Sequence, residues 1–256
     1  MPFLSIIIPT KNEQENLPNL LMSIRSQSFA DYEVIVADAN SEDKTREIAT
    51  SYGATVVDGG LPGPGRNKGA AIATGHTLLF LDADVQMPNE NFLKDNLEEM
   101  KSKGACVGTT YVKPLSKNPI DKAMHEVYNA FAVAAERVLP HAPGFCIFVK
   151  KHAHDEIGGF DESVVFAEDH DYVQRAEKAG YRFRVLRKRP IAVSVRRLEK
   201  DGRLGIALKY MMAELHVMAK GPYKEMPYEY NMGGEVLEKI NIEDINKGEE
   251  TNDTIK

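Results

Sequence analysis

The first third of the chain alternates between short apolar runs and stretches with the helical spacing of apolar residues. The apolar runs cover residues 3–8, 32–38, 54–58 and 77–81. Runs of this length are typical of strands buried on both faces. Because strands and helices alternate with short connections, the pattern predicts an α/β fold. Its mostly parallel central sheet should be covered by helices on both faces and joined by right-handed crossovers.

Residues with helix-capping chemistry mark the ends of the predicted helices. Asn12, with Glu15 three positions later, is the expected N-cap of the first helix, and Ser41 is expected to cap the second. Gly53 and Gly180 fall where helices should stop, because glycine adopts the left-handed conformation that ends a helix without strain. The segment "GRNKGAAIATG" is expected to be a loop and a short helix.

After Pro88 the same pattern continues with longer elements. The predicted helices cover residues 89–104, 118–139 and 170–180, and the predicted strands cover residues 105–112, 144–151, 181–186 and 191–195. The expected organisation is a main domain over residues 1–200, an amphipathic helix within 201–222, and an extension over 223–256 with a disordered acidic end.

Composition narrows the class of protein. A net charge of −6 on 256 residues argues against nucleic acid as the main partner. Cys106 and Cys146 are predicted to be buried free thiols, and the histidines are not expected to bind metal. The amino terminus is expected to be a strand rather than a signal peptide, and the chain contains no long apolar run, so a cytoplasmic location is expected.

Acidic residues follow several of the predicted strands. Asp82 and Asp84 come directly after the run Leu78–Leu81, Asp38 ends the second strand, and Glu168-Asp169 precedes a helix. Ligands of open α/β sheets bind at the carboxyl edge, where two neighbouring carboxylates need a cation between them. Oxygen ligands with room for phosphate suit Mg²⁺ or Mn²⁺. Solvated acids that cap a turn or helix are the alternative.

Four ordered motifs over roughly residues 3–200 resemble the family 2 glycosyltransferases, which are inverting enzymes of the GT-A fold. They are "SIIIPTKNEQENL", "VIVADANSEDKT", "GPGRNKGAAIATGHTLLFLDADVQMP" and "GGFDESVVFAEDHDYVQRAEKAGYR". The stretch "DADVQ" also resembles the "DADLQ" of dolichol-phosphate mannose synthase-like members. The resemblance implies transfer of a sugar from a UDP-, GDP- or dTDP-linked donor to a hydroxyl acceptor.

The resemblance also implies roles for individual residues on the donor side. Residues matching the family's nucleotide-sugar site are Pro9, Thr10, Asn12, Glu13, Asp38, Arg66, Asp82, Ala83 and Asp84. Among them, Asp38 is placed to accept from a ring N–H of the base. The fixed fork of Arg66 is expected to order Asp38 or Asp82. Asp84 and Gln86 are the expected ligands of Mn²⁺ or Mg²⁺ at the donor diphosphate.

On the acceptor side, the resemblance makes Asp169 the general base. Inversion requires one carboxylate to take the acceptor proton, although Asp169 could instead be a plain helix cap. Asp161 and Glu168 are candidates for acceptor binding. Arg196 and Arg197 are candidates for the diphosphate, with a charged, solvated strand edge as the alternative.

Two questions remain open from the sequence. Met211, Met212, Leu215 and Met218 form an apolar helical face that fits either packing on the catalytic domain or an in-plane membrane contact with a lipid-linked acceptor. The competing functions are a sugar-phosphate nucleotidyltransferase and a non-catalytic nucleotide-sugar-binding module. The first typically has a glycine-rich loop after its first strand, and "PTKNEQEN" contains no glycine.

Overall fold

The computed structural model describes residues 1–60, 62–164, 166–200, 202, 203 and 205, and within them eight strands form one mixed sheet. The strands are β1 (Leu4–Thr10), β2 (Tyr32–Asp38), β3 (Thr55–Asp58), β4 (Thr77–Leu81), β5 (Val85–Gln86), β6 (Val107–Pro114), β7 (Cys146–Lys150) and β8 (Phe183–Val193). The helices are α1 (Leu17–Arg25), α2 (Thr45–Ser51), α3 (Pro62–Ile72), α4 (Phe92–Ser102), α5 (Pro119–Ala135), α6 (Lys151–Glu156), α7 (Glu168–Lys178) and α8 (Arg196–Lys200).

The sheet has the order β3-β2-β1-β4-β7-β6-β8-β5, and strands β1 to β4 are parallel. Alternate residues of β1 enter two separate cores: Ile6 and Ile8 pack in the core that contains α1, whereas Ile7 packs in the core on the other face. The register sets Thr10 opposite Asp38 at the end of β1 and β2. The residues after these strands therefore share one edge of the sheet.

The other half of the sheet departs from a purely parallel arrangement. Strand β7 lies between β4 and β6 and is antiparallel to both, while β6 and β8 are parallel. Of the seven strand pairings in the described residues, four are parallel, so the predicted α/β fold with a mostly parallel sheet is confirmed. Since Leu81 pairs with Cys146, the segment just before β7 lies beside the carboxyl end of β4.

Helix α3 replaces most of the expected loop around "GRNKG". It begins at Pro62, a residue whose fixed φ suits the first turn of a helix. A Cβ at Gly69 would lie 2.4 Å from Cγ2 of Ile7, and one at Gly65 would lie 3.3 Å from Cβ of Pro9. The glycines therefore allow α3 to pack unusually close to β1, and this brings Arg66 into the interior.

Two capping predictions are wrong and two are confirmed. Helix α1 begins at Leu17 rather than after Asn12, whose φ of 52° places it in a left-handed turn. Helix α2 begins only at Thr45, since the Ser41 hydroxyl donates to Asp38 instead of capping the helix. Gly53 and Gly180, at φ of 82° and 93°, adopt the predicted left-handed conformation after α2 and α7.

The two short strands expected over residues 181–195 are one strand, β8. The register jumps from Thr110–Leu186 to Val112–Ile191, so the intervening residues of β8 bulge out of the ladder. The bulge is stabilised because the Glu99 carboxylate accepts hydrogen bonds from the backbone N–H groups of Arg187 and Lys188. The charged residues and Pro190 in this segment have the sequence pattern of a turn, and for this reason the sequence predicted two strands instead of one.

Some predictions concern residues at or beyond the limits of the described structure. The amphipathic helix expected within 201–222, including its Met-rich face, and the extension over 223–256 lie almost entirely outside the described residues. Within the described residues, no helix combines the length and apolarity that crossing a membrane requires. Both cysteines are free thiols as predicted, but only Cys146 is fully buried, and Cys106 is partly exposed.

Candidate active site

The loops after β1 and β2 are joined by reciprocal hydrogen bonds between side chains and backbone. The Asn12 side-chain oxygen accepts from Glu42 N, and the Asn12 N–H donates to Ser41 Oγ. The Glu13 N–H donates to Thr45 Oγ1 at 2.8 Å. The turn "PTKNE" is therefore held beside the second loop, at the carboxyl edge of the sheet. Pro9 lies at the end of β1, against α3.

Asp38 is buried beneath these loops rather than open to solvent. One carboxylate oxygen accepts from the hydroxyls of Thr10 and Ser41, and the other accepts from the Ser41 N–H and from Arg46. Burial by itself raises the pKa of Asp38, but these hydrogen bonds outweigh it and lower the pKa overall. A carboxylate accepts about four hydrogen bonds, so Asp38 is already saturated.

Arg66 is the central cation of the site, and its side chain is 2% exposed. Its Nη1 lies 2.6 Å from Oε1 of Glu168, and its Nη2 lies 2.9 Å from Oδ1 of Asp82. Nη2 also donates to the carbonyl of Gly144. Burial alone lowers the pKa of Arg66, but the charges of Asp82, Glu168 and Asp169 raise it overall. Arg66 thus joins the end of β4 to the start of α7.

Asp169 lies in the first turn of α7, next to this cluster. Its Oδ2 accepts from the Gly144 N–H at 2.5 Å, and its Oδ1 accepts from the His170 N–H at 2.9 Å. The side chain remains 18% exposed. The neighbouring Glu168 has a similar exposure of 15%, and burial and the charge of Asp169 raise the pKa of Glu168, while Arg66 opposes them. Glu168 is held by its ion pair with Arg66, whereas the described hydrogen bonds to Asp169 come from backbone N–H groups.

The residues after β4 contact a second arginine. Nη2 of Arg196, in the first turn of α8, lies 3.1 Å from Oδ2 of Asp84 and 3.1 Å from Oε1 of Glu13. Burial raises the pKa of Glu13, while Arg196 and Asn16 lower it in part. Ala83 is buried between Asp82 and Asp84. The side chain of Arg197 lies outside the described part of the structure.

Asp84 and Gln86 offer oxygen atoms of the kind that magnesium and manganese prefer. Within the described residues, no group of three or more His, Cys, Asp and Glu side chains is arranged to hold a metal. However, Oε1 of Gln86 is buried and has no hydrogen-bond partner within the described residues. A buried acceptor oxygen without a partner costs free energy unless a ligand or ion interacts with it. Magnesium sites commonly use one or two protein oxygens and substrate phosphates, and the side-chain oxygens of Asp84 and Gln86 are of that chemical type.

Most of the predicted site residues lie along the carboxyl edge of the sheet, which we call the rim. They are not all in contact with one another. The described contacts join Thr10 to Asp38, and Arg196 to both Glu13 and Asp84. The expectation that Arg66 orders Asp82 agrees with the geometry. The described contacts pair Asp38 with Arg46 instead of Arg66.

Asp161 and part of the basic stretch contact residues other than the predicted substrate groups. Asp161 is exposed and accepts from the Ser163 N–H and hydroxyl, as a turn-forming residue does. Much of the basic stretch pairs with α4, because Arg189 lies 2.6 Å from Asp95 and Lys188 lies 4.0 Å from Glu98. That part of the stretch is structural, and Arg196 is the arginine that reaches the acids of the rim.

Gly144 and Phe160 are site residues that sequence reasoning missed. A Cβ at Gly144 would lie 2.6 Å from Nη2 of Arg66 and 3.2 Å from Oδ2 of Asp169. The Phe160 ring lies 5.3 Å from the Arg66 guanidinium carbon. The glycine before a strand in "APGFCIF" was the available hint. A surface depression lined by Met22, Arg25 and Tyr52 lies at the opposite edge of the sheet, where α1 and α2 end, and does not belong to this site.

The clustered acids and arginines lie at the carboxyl edge of the α/β sheet, where ligands of such folds bind, and comparison with known proteins identifies the family. The profile of glycosyl transferase family 2 matches residues 5–158, so the chain belongs to that family. The GT-A fold implied by the four motifs is confirmed.

Two relatives illustrate the range of the family. The glycosyltransferase AglE of Haloferax volcanii is 28% identical over 198 residues, which cover 71% of this chain and 63% of AglE. The amylovoran biosynthesis glycosyltransferase AmsB of Erwinia amylovora is 26% identical over 269 residues, covering 91% of this chain and 86% of AmsB. The chain thus spans less than two thirds of AglE.

The solved structures agree on the fold. The mannosyltransferase PcManGT of Pyrobaculum calidifontis, in complex with GDP-Man and Mn²⁺, has a TM-score of 0.66 at 22% identity, covering 83% of this chain and 61% of that chain. S. aureus TarS 1-349 with UDP-GlcNAc has a TM-score of 0.60 at 23% identity, covering 75% of this chain and 58% of that chain.

Proposed function

We propose that the chain is a metal-dependent inverting glycosyltransferase that moves a sugar from a nucleoside diphosphate donor to a hydroxyl acceptor, with Asp169 as general base. The observation that carries the proposal is the double ion pair of Arg66. It fixes Asp82, after the strand that leads to the donor side, against Glu168, which adjoins Asp169. The Arg66 guanidinium would thereby set the distance between the proposed donor side, at Asp82, and the proposed base, Asp169.

Asp169 is suited to accept a proton. Each of its oxygens accepts one backbone hydrogen bond, from Gly144 or His170, and retains a lone pair. In a single displacement, the acceptor oxygen attacks the anomeric carbon while its proton moves to Asp169. The bond to the diphosphate breaks, the diphosphate keeps the electron pair, and the configuration inverts.

The donor would lie over the loops after β1 and β2. Thr10, Asn12 and Glu13 are held there by the second loop, and Pro9 adjoins them. Because Asp38 is already saturated, contact with a ring N–H would require Ser41 or Arg46 to release it. We therefore assign Asp38 first to holding Thr10 and Ser41, and keep direct base recognition as a secondary prediction.

The diphosphate would meet Asp84, Gln86 and the arginines of α8. Asp84 and the unpartnered Oε1 of Gln86 would hold Mn²⁺ or Mg²⁺. Such an ion, when bound, offsets the negative charge that builds on the leaving group. Arg196, together with Arg197, suits a phosphate oxygen because its guanidinium fork matches that geometry. Asp161 remains a candidate for acceptor binding.

The test separates donor binding from transfer. Thermal shifts with Mn²⁺ and UDP-, GDP- and dTDP-sugars, including GDP-mannose and UDP-N-acetylglucosamine, identify the donor. The Asp169→Asn variant should still be stabilised by that donor but should lose transfer to hydroxyl acceptors. Asp171→Asn is the matched control, because Asp171 lies on the same helix and pairs with Arg175 at 2.7 Å.

Each alternative predicts a different result. Normal transfer by Asp169→Asn would refute the base assignment. Donor binding by the unmodified chain without transfer or donor hydrolysis would favour a non-catalytic binding module. Release of pyrophosphate from a nucleoside triphosphate and a sugar phosphate would instead indicate a nucleotidyltransferase.

A further inference from the structure

Helix α5 has buried polar residues on its inward side and several exposed apolar residues on its outward side. Its inward-facing positions include Asp121 and Asn129, and Glu136 follows at its end; all three are buried. Many of the outward positions are apolar: Ile120, Val127, Phe131 and, in the turn after the helix, Val138 are 56%, 71%, 47% and 87% exposed. Ordinary surface helices bury the apolar side.

The inward polar residues are fully used in attaching the helix to the sheet. The Asn129 side chain bonds both the N–H and the carbonyl of Val112 at 2.9 Å. The Glu136 carboxylate accepts from the Val185 N–H, and Asp121 accepts from Ser116 and Arg203. The helix therefore cannot turn its apolar side inward without breaking these bonds. The outward apolar side is a fixed feature of the fold.

This surface is continuous, and we call it the α5 face. It consists of Ile120, Ala123, Val127, Ala130, Phe131, Ala134 and Val138, which are all exposed and follow one another at helical spacing. It carries four of the seven large hydrophobic side chains that are exposed within the described residues. Concentrated exposed apolar surface of this kind usually marks a binding surface.

We propose that the α5 face docks on the surface of an anionic lipid bilayer, and that the acceptor of the proposed transferase is a lipid-borne hydroxyl. Charge supports this occupant. Although the whole chain has a net charge of −6, the exposed charged side chains between residues 117 and 138 are Lys117, Lys122 and Arg137 against Glu126. Basic residues beside an in-plane apolar helix attract anionic headgroups.

The position of the α5 face relative to the base supports the same occupant. The Phe131 ring lies 5.2 Å from the His141 ring, and the His141 ring lies 5.5 Å from the His170 ring. His170 adjoins Asp169, so the carboxyl end of the α5 face reaches the acceptor side of the site. A docked bilayer would present headgroup hydroxyls there. This step rests on the proposed function, whereas docking itself does not.

Size argues against a second copy of the chain as the occupant. Helix α5 has 17 residues and is about 25 Å long at 1.5 Å per residue. With a width of about 10 Å, the α5 face covers roughly 250–300 Å², whereas a stable dimer buries about 800 Å² on each partner. An in-plane helix on a bilayer needs no such area or shape match.

The test uses the full chain and co-sedimentation with vesicles of phosphatidylcholine and phosphatidylglycerol. Wild type should bind, and Val127→Gln/Phe131→Gln should lower the partition coefficient at least about tenfold, because two apolar side chains leave the bilayer. Met22→Gln and Ile72→Gln are matched controls, since Met22 and Ile72 are 50% and 43% exposed on other helices. Lys122→Glu/Arg137→Glu should weaken binding to anionic vesicles, and pure phosphatidylcholine vesicles should bind wild type more weakly.

Several outcomes would overturn the docking proposal. One is that wild type does not bind anionic vesicles at low salt. Another is that the apolar double variant, Val127→Gln/Phe131→Gln, binds them as well as wild type does. A dimer in sedimentation velocity that the double variant abolishes would show a second copy on the α5 face. Faster proteolysis within residues 206–220 in the double variant would show that this segment covers the face. Thermal shifts with donor are measured in parallel, so docking and donor binding can fail separately.

Discussion

Oδ2 of Asp84 lies 3.1 Å from Nη2 of Arg196, which also contacts Glu13. Arg196 thus supplies a positive charge to the carboxylate that we propose as a metal ligand. A divalent ion and Arg196 should compete for Asp84, and the donor diphosphate should draw Arg196 away. The pair links metal binding to donor binding.

The Arg196→Gln variant tests this link. We expect the donor KM to rise about tenfold, because one charge-assisted hydrogen bond to the diphosphate is lost. The Mn²⁺ concentration for half-maximal activity should fall, because Asp84 loses the competing Arg196 cation. Transfer rates measured against donor and Mn²⁺ check both effects. Arg189→Gln, which removes a pair with Asp95 on α4, should change neither.

Arg66→Lys should separate positioning from charge. A single ammonium cannot span Asp82 and Glu168 as the guanidinium fork does, so Asp169 should move relative to the donor. We expect kcat to fall about 10²-fold with little change in donor affinity. Arg66→Leu leaves the buried acids unpaired and should destabilise the fold by ~3–5 kcal/mol. An unchanged kcat in Arg66→Lys would refute the positioning role.

The parallel half of the sheet could be predicted from local sequence. The run Leu78–Leu81 is fully buried as expected, and Gly53 ends its helix as expected. These features depend on neighbouring residues, so a short window contains the information. The placement of Asp38 and Asp82 at strand ends follows directly.

The contacts within the site could not be predicted in the same way. Arg66 and Glu168 are 102 positions apart, and Gly144 reaches Arg66 because β7 enters the sheet antiparallel to β4. No local pattern encodes that reversal. Gly144 owes its role to the same reversal, since it precedes β7. The partners of Asp38 could not be predicted for a different reason. Ser41 and Arg46 are close to Asp38 in sequence, but a carboxylate at the end of a strand has many equally plausible donors nearby.

Gly144→Ala should impair chemistry without preventing folding. The added Cβ would lie 2.6 Å from Nη2 of Arg66, so Arg66 and Asp169 must shift together. We expect a kcat reduced by about 10²-fold and a nearly unchanged thermal shift with donor. Gly60→Ala is the control, because its Cβ would lie at an ordinary 3.4 Å from Pro64. Equal activities of the two variants would contradict this account of Gly144.

His154 should make the stability of the fold depend on pH. It is buried beside Tyr172, whose hydroxyl lies 2.8 Å from Nδ1, and burial lowers the pKa of His154 from 6.5 to about 4. Between these values the unfolded chain binds a proton that the folded chain does not, so stability falls as the pH drops below about 6.5. At pH 5 the loss relative to neutral pH should be about 2 kcal/mol. Urea unfolding of wild type and His154→Gln at pH 7 and pH 5 measures it, because the variant retains the carboxylates but lacks this group. If both proteins lose the same stability between the two pH values, His154 is not the group responsible.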